Sequence, residues 1–199
     1  MVVLHLITSI DKGGAETHLF SLINQQIKQK KKVFVIYLKG NDYWKKYYKK
    51  IGVEVHKISL KNNLNIFQFL LALNQIRKLI NQLKPNVVHA HLLSMELIGA
   101  IINFNSKHKF KFIVTKHLDS FFFEASFGRR NFFRGIMIDK FIINQSKKVI
   151  CISNQVKDYF SKEIPIKKKY KVIYYGFSIK NFNTSPNIKN IIKKIKKKK

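Results

Sequence analysis

The chain alternates between short, continuous apolar runs and longer stretches in which apolar positions recur every three or four residues. The first pattern predicts strands buried on both faces, the second amphipathic helices. Val2–Thr8 is such a run, and it precedes a predicted helix over Ala15–Lys30 whose Leu19, Leu22, Ile23 and Ile27 share a face. Val33–Leu38 and Val53–Ile58 predict the next two strands, around a short helix over Asp42–Lys50. A long helix over Ile66–Leu83 should stop at Lys84-Pro85, because the residue before a proline avoids helical backbone angles. There follow strand Asn86–Ala90, helix Met95–Phe104, strand Phe110–Thr115, helix Phe132–Gln145, strand Lys148–Ile152, helix Asn154–Phe160 and strand Tyr170–Tyr174. Strands joined by helices of this length form parallel βαβ units with right-handed crossovers. The expected fold is therefore α/β, a doubly wound, Rossmann-like parallel sheet of about seven strands.

In such a sheet the ligand crevice lies at the carboxyl ends of the strands. The residues just past those ends are Gly13-Gly14, His89-Ala90-His91, Thr115-Lys116-His117, Ser153-Asn154 and Tyr175-Gly176, so polar groups and glycines gather at one edge of an apolar sheet. The glycine doublet lets a backbone approach a ligand closely, and the free N–H groups of the helix it opens favour an anion such as a phosphate or sugar phosphate. It is not the dinucleotide fingerprint, because the glycines are adjacent and the G-x-G-x-x-G spacing is missing. The competing reading is a tight strand-to-helix connection with no ligand.

Composition narrows the setting. A chain of 199 residues, 46% hydrophobic and with 17 phenylalanines, can bury one good core plus an appendage. The single Cys151 excludes a disulfide framework and a multi-cysteine zinc site, which suits a reducing cytoplasm. The amino terminus lacks the basic segment of a signal peptide, and the apolar stretches are broken by Asn74, Gln75 and Arg77 or stop near Phe104, too short to span a bilayer. The expected location is the cytoplasm, with peripheral attachment to the membrane's inner face left open. A net charge of +29 would attract phosphates of nucleic acid or anionic lipid. The positive charge is nearly all lysine, with only Arg77, Arg129, Arg130 and Arg134 as arginines, which compositional bias also explains.

Lys12-Gly13-Gly14-Ala15-Glu16, Pro85 to His91, Val114-Thr115-Lys116-His117, Val149 to Asn154 and Lys171 to Phe177 occur in the order found in the amino-terminal half of family 4 glycosyltransferases, which this sequence resembles over residues 2 to 182. The resemblance implies one half of a two-domain GT-B enzyme: an acceptor-side domain at 1–182, with a lysine-rich tail or linker remnant at 183–199. It implies a retaining, metal-independent transferase that takes a nucleotide-sugar as donor substrate, needs no cofactor, and passes the sugar to a glycan or lipid-linked acceptor. By the same resemblance Gly13 and Gly14 lie beside the donor diphosphate, with Glu16, His91 and Ser153 as further substrate-binding candidates. His117 matches the histidine that reaches the transferred sugar, and is the catalytic candidate.

Each assignment has a plainer counterpart. His117 could only tie down its own loop, and Glu16 could bind acceptor hydroxyls or merely complement the helix dipole. His89 and His91 point the same way on a strand, but no carboxylate or cysteine cluster accompanies them, so no metal is expected. Cys151 in an apolar strand reads as a buried, inert thiol. Phe122, Phe133, Arg129 and Arg130 belong to a run that interleaves aromatics with cations, and Ile188, Ile191, Ile192 and Ile195 fall at helical spacing among lysines. Both suit contact with a membrane or lipid-linked acceptor, or else a covered loop and a solvated tail. The family's donor-sugar motif, two glutamates spaced E-x7-E, does not occur after Phe182. The sequence therefore reads as half an enzyme, inactive without a donor-binding partner domain. The alternatives are a non-catalytic binding module for a lipid-linked sugar and, with charge alone behind it, a nucleic-acid binder.

Overall fold

The computed structural model describes residues 1–58, 66–118, 135–166 and 169–176. Seven strands form a single, wholly parallel sheet: β1 (Val2–Ser9), β2 (Lys32–Lys39), β3 (Glu54–Lys57), β4 (Val87–His91), β5 (Lys111–Lys116), β6 (Lys148–Cys151) and β7 (Tyr170–Val172). The helices between them are α1 (Gly14–Lys28), α2 (Lys45–Lys50), α3 (Ile66–Leu83), α4 (Leu93–Phe104), α5 over 135–145 and α6 (Asn154–Glu163). The strand order is β3-β2-β1-β4-β5-β6-β7. The chain runs outward from β1 to one edge, then returns to β4 on the other side of β1, so the connections diverge between β1 and β4. In an open parallel sheet that divergence leaves a crevice at the strands' carboxyl ends.

Each sheet face has its own core. Leu4, Leu6, Val88, Ala90, Phe112 and Val114 pack with Ile76 and Ile80 of α3, Ile98 and Ile102 of α4, and Ile142 and Ile143 of α5. On the opposite face Val3, Ile7, Val35 and Tyr37 pack with Leu19 and Ile23 of α1 and Tyr48 of α2. Burial on both faces is why the strands read as continuous apolar runs rather than alternating ones.

The predicted elements are all present, with shifted ends. Helix α3 keeps its predicted limits, and Lys84 closes it in the left-handed region at φ 43°, its N–H bonded to the Ile80 carbonyl. Helix α2 begins at Lys45 rather than Asp42, because Asp42 has φ 59° and its carboxylate is held by Lys57 at 2.8 Å. Strand β4 extends to His91 and β5 to Lys116, so His89, Ala90, His91, Thr115 and Lys116, expected just past the strand ends, are inside the sheet. Among the described residues no helix is long and apolar enough to cross a membrane.

Candidate functional site

Parallel register puts His5 of β1 opposite His89 of β4, and His91 opposite Thr115 of β5. Side chains alternate along a strand, so His5, His89, His91, Thr115 and the following His117 all project from the face covered by α1. Four imidazoles thus stand where the other face carries aliphatic side chains. His5 and His91 are inaccessible to water, and His89 and His117 nearly so.

The buried rings satisfy one another. Gln26 of α1 places Oε1 2.9 Å from His5 Nε2; His5 Nδ1 is 3.2 Å from His91 Nε2; His91 Nδ1 is 3.2 Å from His117 Nε2. His117 Nδ1 in turn meets the Tyr175 hydroxyl. His89 lies beside this line, with Nε2 2.7 Å from Thr115 Oγ1. At the crevice end His18 of α1 stacks on Tyr175, with ring centroids 4.0 Å apart. Burial pushes His5 and His117 down to about 4, holds His89 and His91 well below the usual histidine range, and lowers His18 as well. All are neutral at pH 7, and a neutral imidazole both donates and accepts. Burial also raises the Tyr175 phenol to about 12, so it remains a donor.

The glycine turn adjoins this column. Gly13 is the extended residue that opens α1, and among the described residues no side chain caps the helix. Glu16 is buried, accepts a hydrogen bond from Ser9 Oγ at 2.7 Å and folds back over the turn, where its Oε2 occupies the position a Gly13 side chain would take. The equivalent position on Gly14 is open, with no atom of the described residues within 4 Å. An approaching anion therefore has room on the Gly14 side and a carboxylate on the Gly13 side. Asp11, two residues before the doublet, accepts from the Asn41 N–H at 2.6 Å and crowds Gly40, which needs its glycine at φ 108°. That bond ties the loops after β1 and β2 together.

On the other face of β5, Lys116 bonds Glu96 of α4 and Asp139 of α5 at 2.6 Å, all three withdrawn from water. Burial opposes the lysine's charge, but the two carboxylates outweigh it and hold Lys116 above its ordinary range. Burial pushes Glu96 up to about 6. Between His91 and α4, Leu92 sits at φ 67°, a strained conformation for a leucine, which lets the helix start one residue after the strand.

His91, His117, Glu16 and the Gly13-Gly14 turn are thus brought together at one end of the sheet. Ser153 lies at the N-cap of α6, where its hydroxyl accepts the Val156 N–H at 3.2 Å. Cys151 is buried, and burial raises its thiol to about 11. Phe122, Arg129, Arg130, Phe133 and the tail at 183–199 lie outside the described residues. Sequence reasoning missed His5, Gln26, His18 and the Glu96–Lys116–Asp139 group. It also found no third partner for the H-x-H pair, whereas the ligand nitrogens of His5, His89 and His91 lie within 4.8 Å of one another. Both ring nitrogens of His5 and of His91 are already engaged by side chains, so an ion there would have to displace hydrogen bonds.

A parallel Rossmann-like sheet with its polar edge at the switch point is the architecture of GT-B glycosyltransferase halves. The Glycosyltransferase Family 4 profile matches residues 12–180, and the chain belongs to that family. No curated protein matches the sequence. Among solved structures, Anabaena HepE in complex with UDP and glucose superimposes with a TM-score of 0.73 at 19% identity, over 98% of this chain and 50% of that one. The lipopolysaccharide outer core galactosyltransferase WaaB in its apo form gives 0.67 at 13% identity, over 94% of this chain and 50% of that one. Sucrose-phosphate synthase from Thermosynechococcus elongatus gives 0.69 at 12%, over 97% and 53%. The chain spans about half the length of these proteins. The likeness is one of fold. The family's donor substrates are nucleotide sugars.

Proposed function

We propose that this chain supplies the acceptor-side half of a retaining glycosyltransferase, and that transfer needs a second, donor-binding Rossmann-like domain facing the crevice, in the same or another chain. The observation that supports this most directly is the adjacency of an uncapped helix start, open at Gly14, to the neutral His117–Tyr175 pair. The N–H groups of the helix start suit the donor diphosphate, where they would stabilise charge developing on the leaving group. Both ring nitrogens of His117 are engaged, by His91 and by Tyr175, so the group offered to a sugar hydroxyl is the neutral Tyr175 oxygen, which His117 orients. Without the second domain the reacting atoms stay in water and unpositioned, so this half alone turns over at background. The test is a paired substitution in the assembled enzyme. Gly14→Val should abolish transfer by filling the diphosphate's space, and His117→Ala should slow it with the fold intact. Activity indifferent to both changes rules out the site.

A cytoplasmic enzyme attached peripherally to the inner face of the membrane is favoured by the first turns of α3, where Ile66, Phe67 and Leu70 are 75%, 62% and 55% exposed on a chain of net charge +29. Apolar side chains on a basic surface suit an anionic bilayer and hence a lipid-linked acceptor. Salt-sensitive sedimentation with anionic but not neutral vesicles, weakened by deleting residues 187–199, is the expected result. Equal partitioning to both vesicle types, or to neither, removes the argument for a lipid acceptor.

A further inference from the structure

The histidine column has a direction. Gln26 offers its carbonyl oxygen, which only accepts, so His5 must carry its proton on Nε2 and present Nδ1 as an acceptor. His91 Nε2 then donates to His5 Nδ1, which leaves His91 Nδ1 to accept from His117 Nε2. His117 Nδ1 is left without a proton, and the Tyr175 hydroxyl donates to it. One choice at Gln26 thus sets three tautomers in succession. The opposite proton order requires the Gln26 amide turned over, with its NH2 rather than its oxygen facing His5 Nε2.

We infer that Gln26, His5 and His91 are positioning residues that hold His117 in its Nε2–H tautomer, and with it the orientation of the Tyr175 hydroxyl at the crevice. Buried hydrogen-bonded chains polarise one another in a low-dielectric interior, so the order set at one end persists to the other. Each inner ring is enclosed and both of its nitrogens are engaged, which leaves no water to break the sequence. Helix α1 carries the control point. The helix that begins at the Gly13-Gly14 turn bears Gln26 near its far end. The consequence for transfer rests on the proposed role of His117 and Tyr175. The tautomer order does not.

The experiment is two-bond ¹⁵N–¹H correlation of the histidine rings in the full-length chain, which distinguishes Nδ1–H, Nε2–H and charged imidazoles. At pH 7 His5, His91 and His117 should all be neutral with the proton on Nε2. Gln26→Leu, which removes the acceptor, should move His91 and His117 towards averaged tautomers while the backbone spectrum is preserved. Gln26→Glu, which keeps an accepting oxygen, should retain the order. In the assembled enzyme Gln26→Leu should lower kcat by about tenfold, with donor KM unchanged and Gln26→Glu restoring the rate. An Nδ1–H or charged ring in the native column, or tautomers unmoved by Gln26→Leu, overturns the inference whatever the enzyme does. Ordered tautomers with an unaffected kcat would retain the relay and remove its role in transfer.

Discussion

Lys116 Nζ lies 2.6 Å from Asp139 Oδ1, and His117, the next residue, turns to the other face of the sheet to end the histidine column. The end of β5 is therefore fixed from both sides: by a buried ion group that draws α4 and α5 onto the strand, and by imidazoles under α1. Removing Lys116 leaves two buried carboxylates without their cation, a loss of about 3–5 kcal/mol for such groups. Lys116→Met should lower stability to urea by that amount. A loss below about 1 kcal/mol would place these carboxylates in contact with water.

Acid should destabilise the fold well above the carboxylate range. His5 and His117 bind protons at about 4 when folded and at about 6.5 when unfolded, so the unfolded chain takes up protons first as pH falls. Stability is complete above pH 6.5 and is lost between 6.5 and 4, by about 3 kcal/mol for each of these two rings. Glu96, raised to about 6, acts in the opposite sense between 4.5 and 6 and offsets part of the loss. Urea midpoints should decline from pH 7 to pH 5. A flat profile would mean that the rings are hydrated.

Two helical glycines should respond oppositely to a methyl group. At Gly99 of α4 a side-chain carbon would lie 2.6 Å from Phe112 Cε2 and 2.9 Å from Cζ, whereas at Gly14 it meets nothing. Gly99→Ala should cost about 1–3 kcal/mol through overpacking, with part regained in Gly99→Ala/Phe112→Leu. Gly14→Ala should leave thermal unfolding nearly unchanged. Equal effects at the two sites would show that α4 does not pack this closely on β5.

The strands were legible because burial on both faces writes an uninterrupted apolar run, and Lys84-Pro85 marked the end of α3 through local sterics alone. His91, His117 and the glycine turn were legible as candidates because polar residues at strand ends stand out against such runs. His5 was not. It interrupts an apolar strand by a single residue, and its meaning comes only from the β1–β4 register that sets it against His89, a pairing across 84 residues. Gln26 sits among the polar positions of an amphipathic helix and looks like any solvated side chain until the sheet places His5 beneath it. Glu96 and Asp139 acquire their role in the same way, from helices that converge on Lys116 only in three dimensions.

If this sheet completes a sugar-transfer site only with a donor-binding half, nucleoside diphosphate release should depend on that half. The purified 199-residue chain should give background release from a nucleotide-sugar and acceptor, and release should rise well above background when it is joined to a family 4 carboxy-terminal domain. Robust transfer by the chain alone would show that the donor-binding half is not needed.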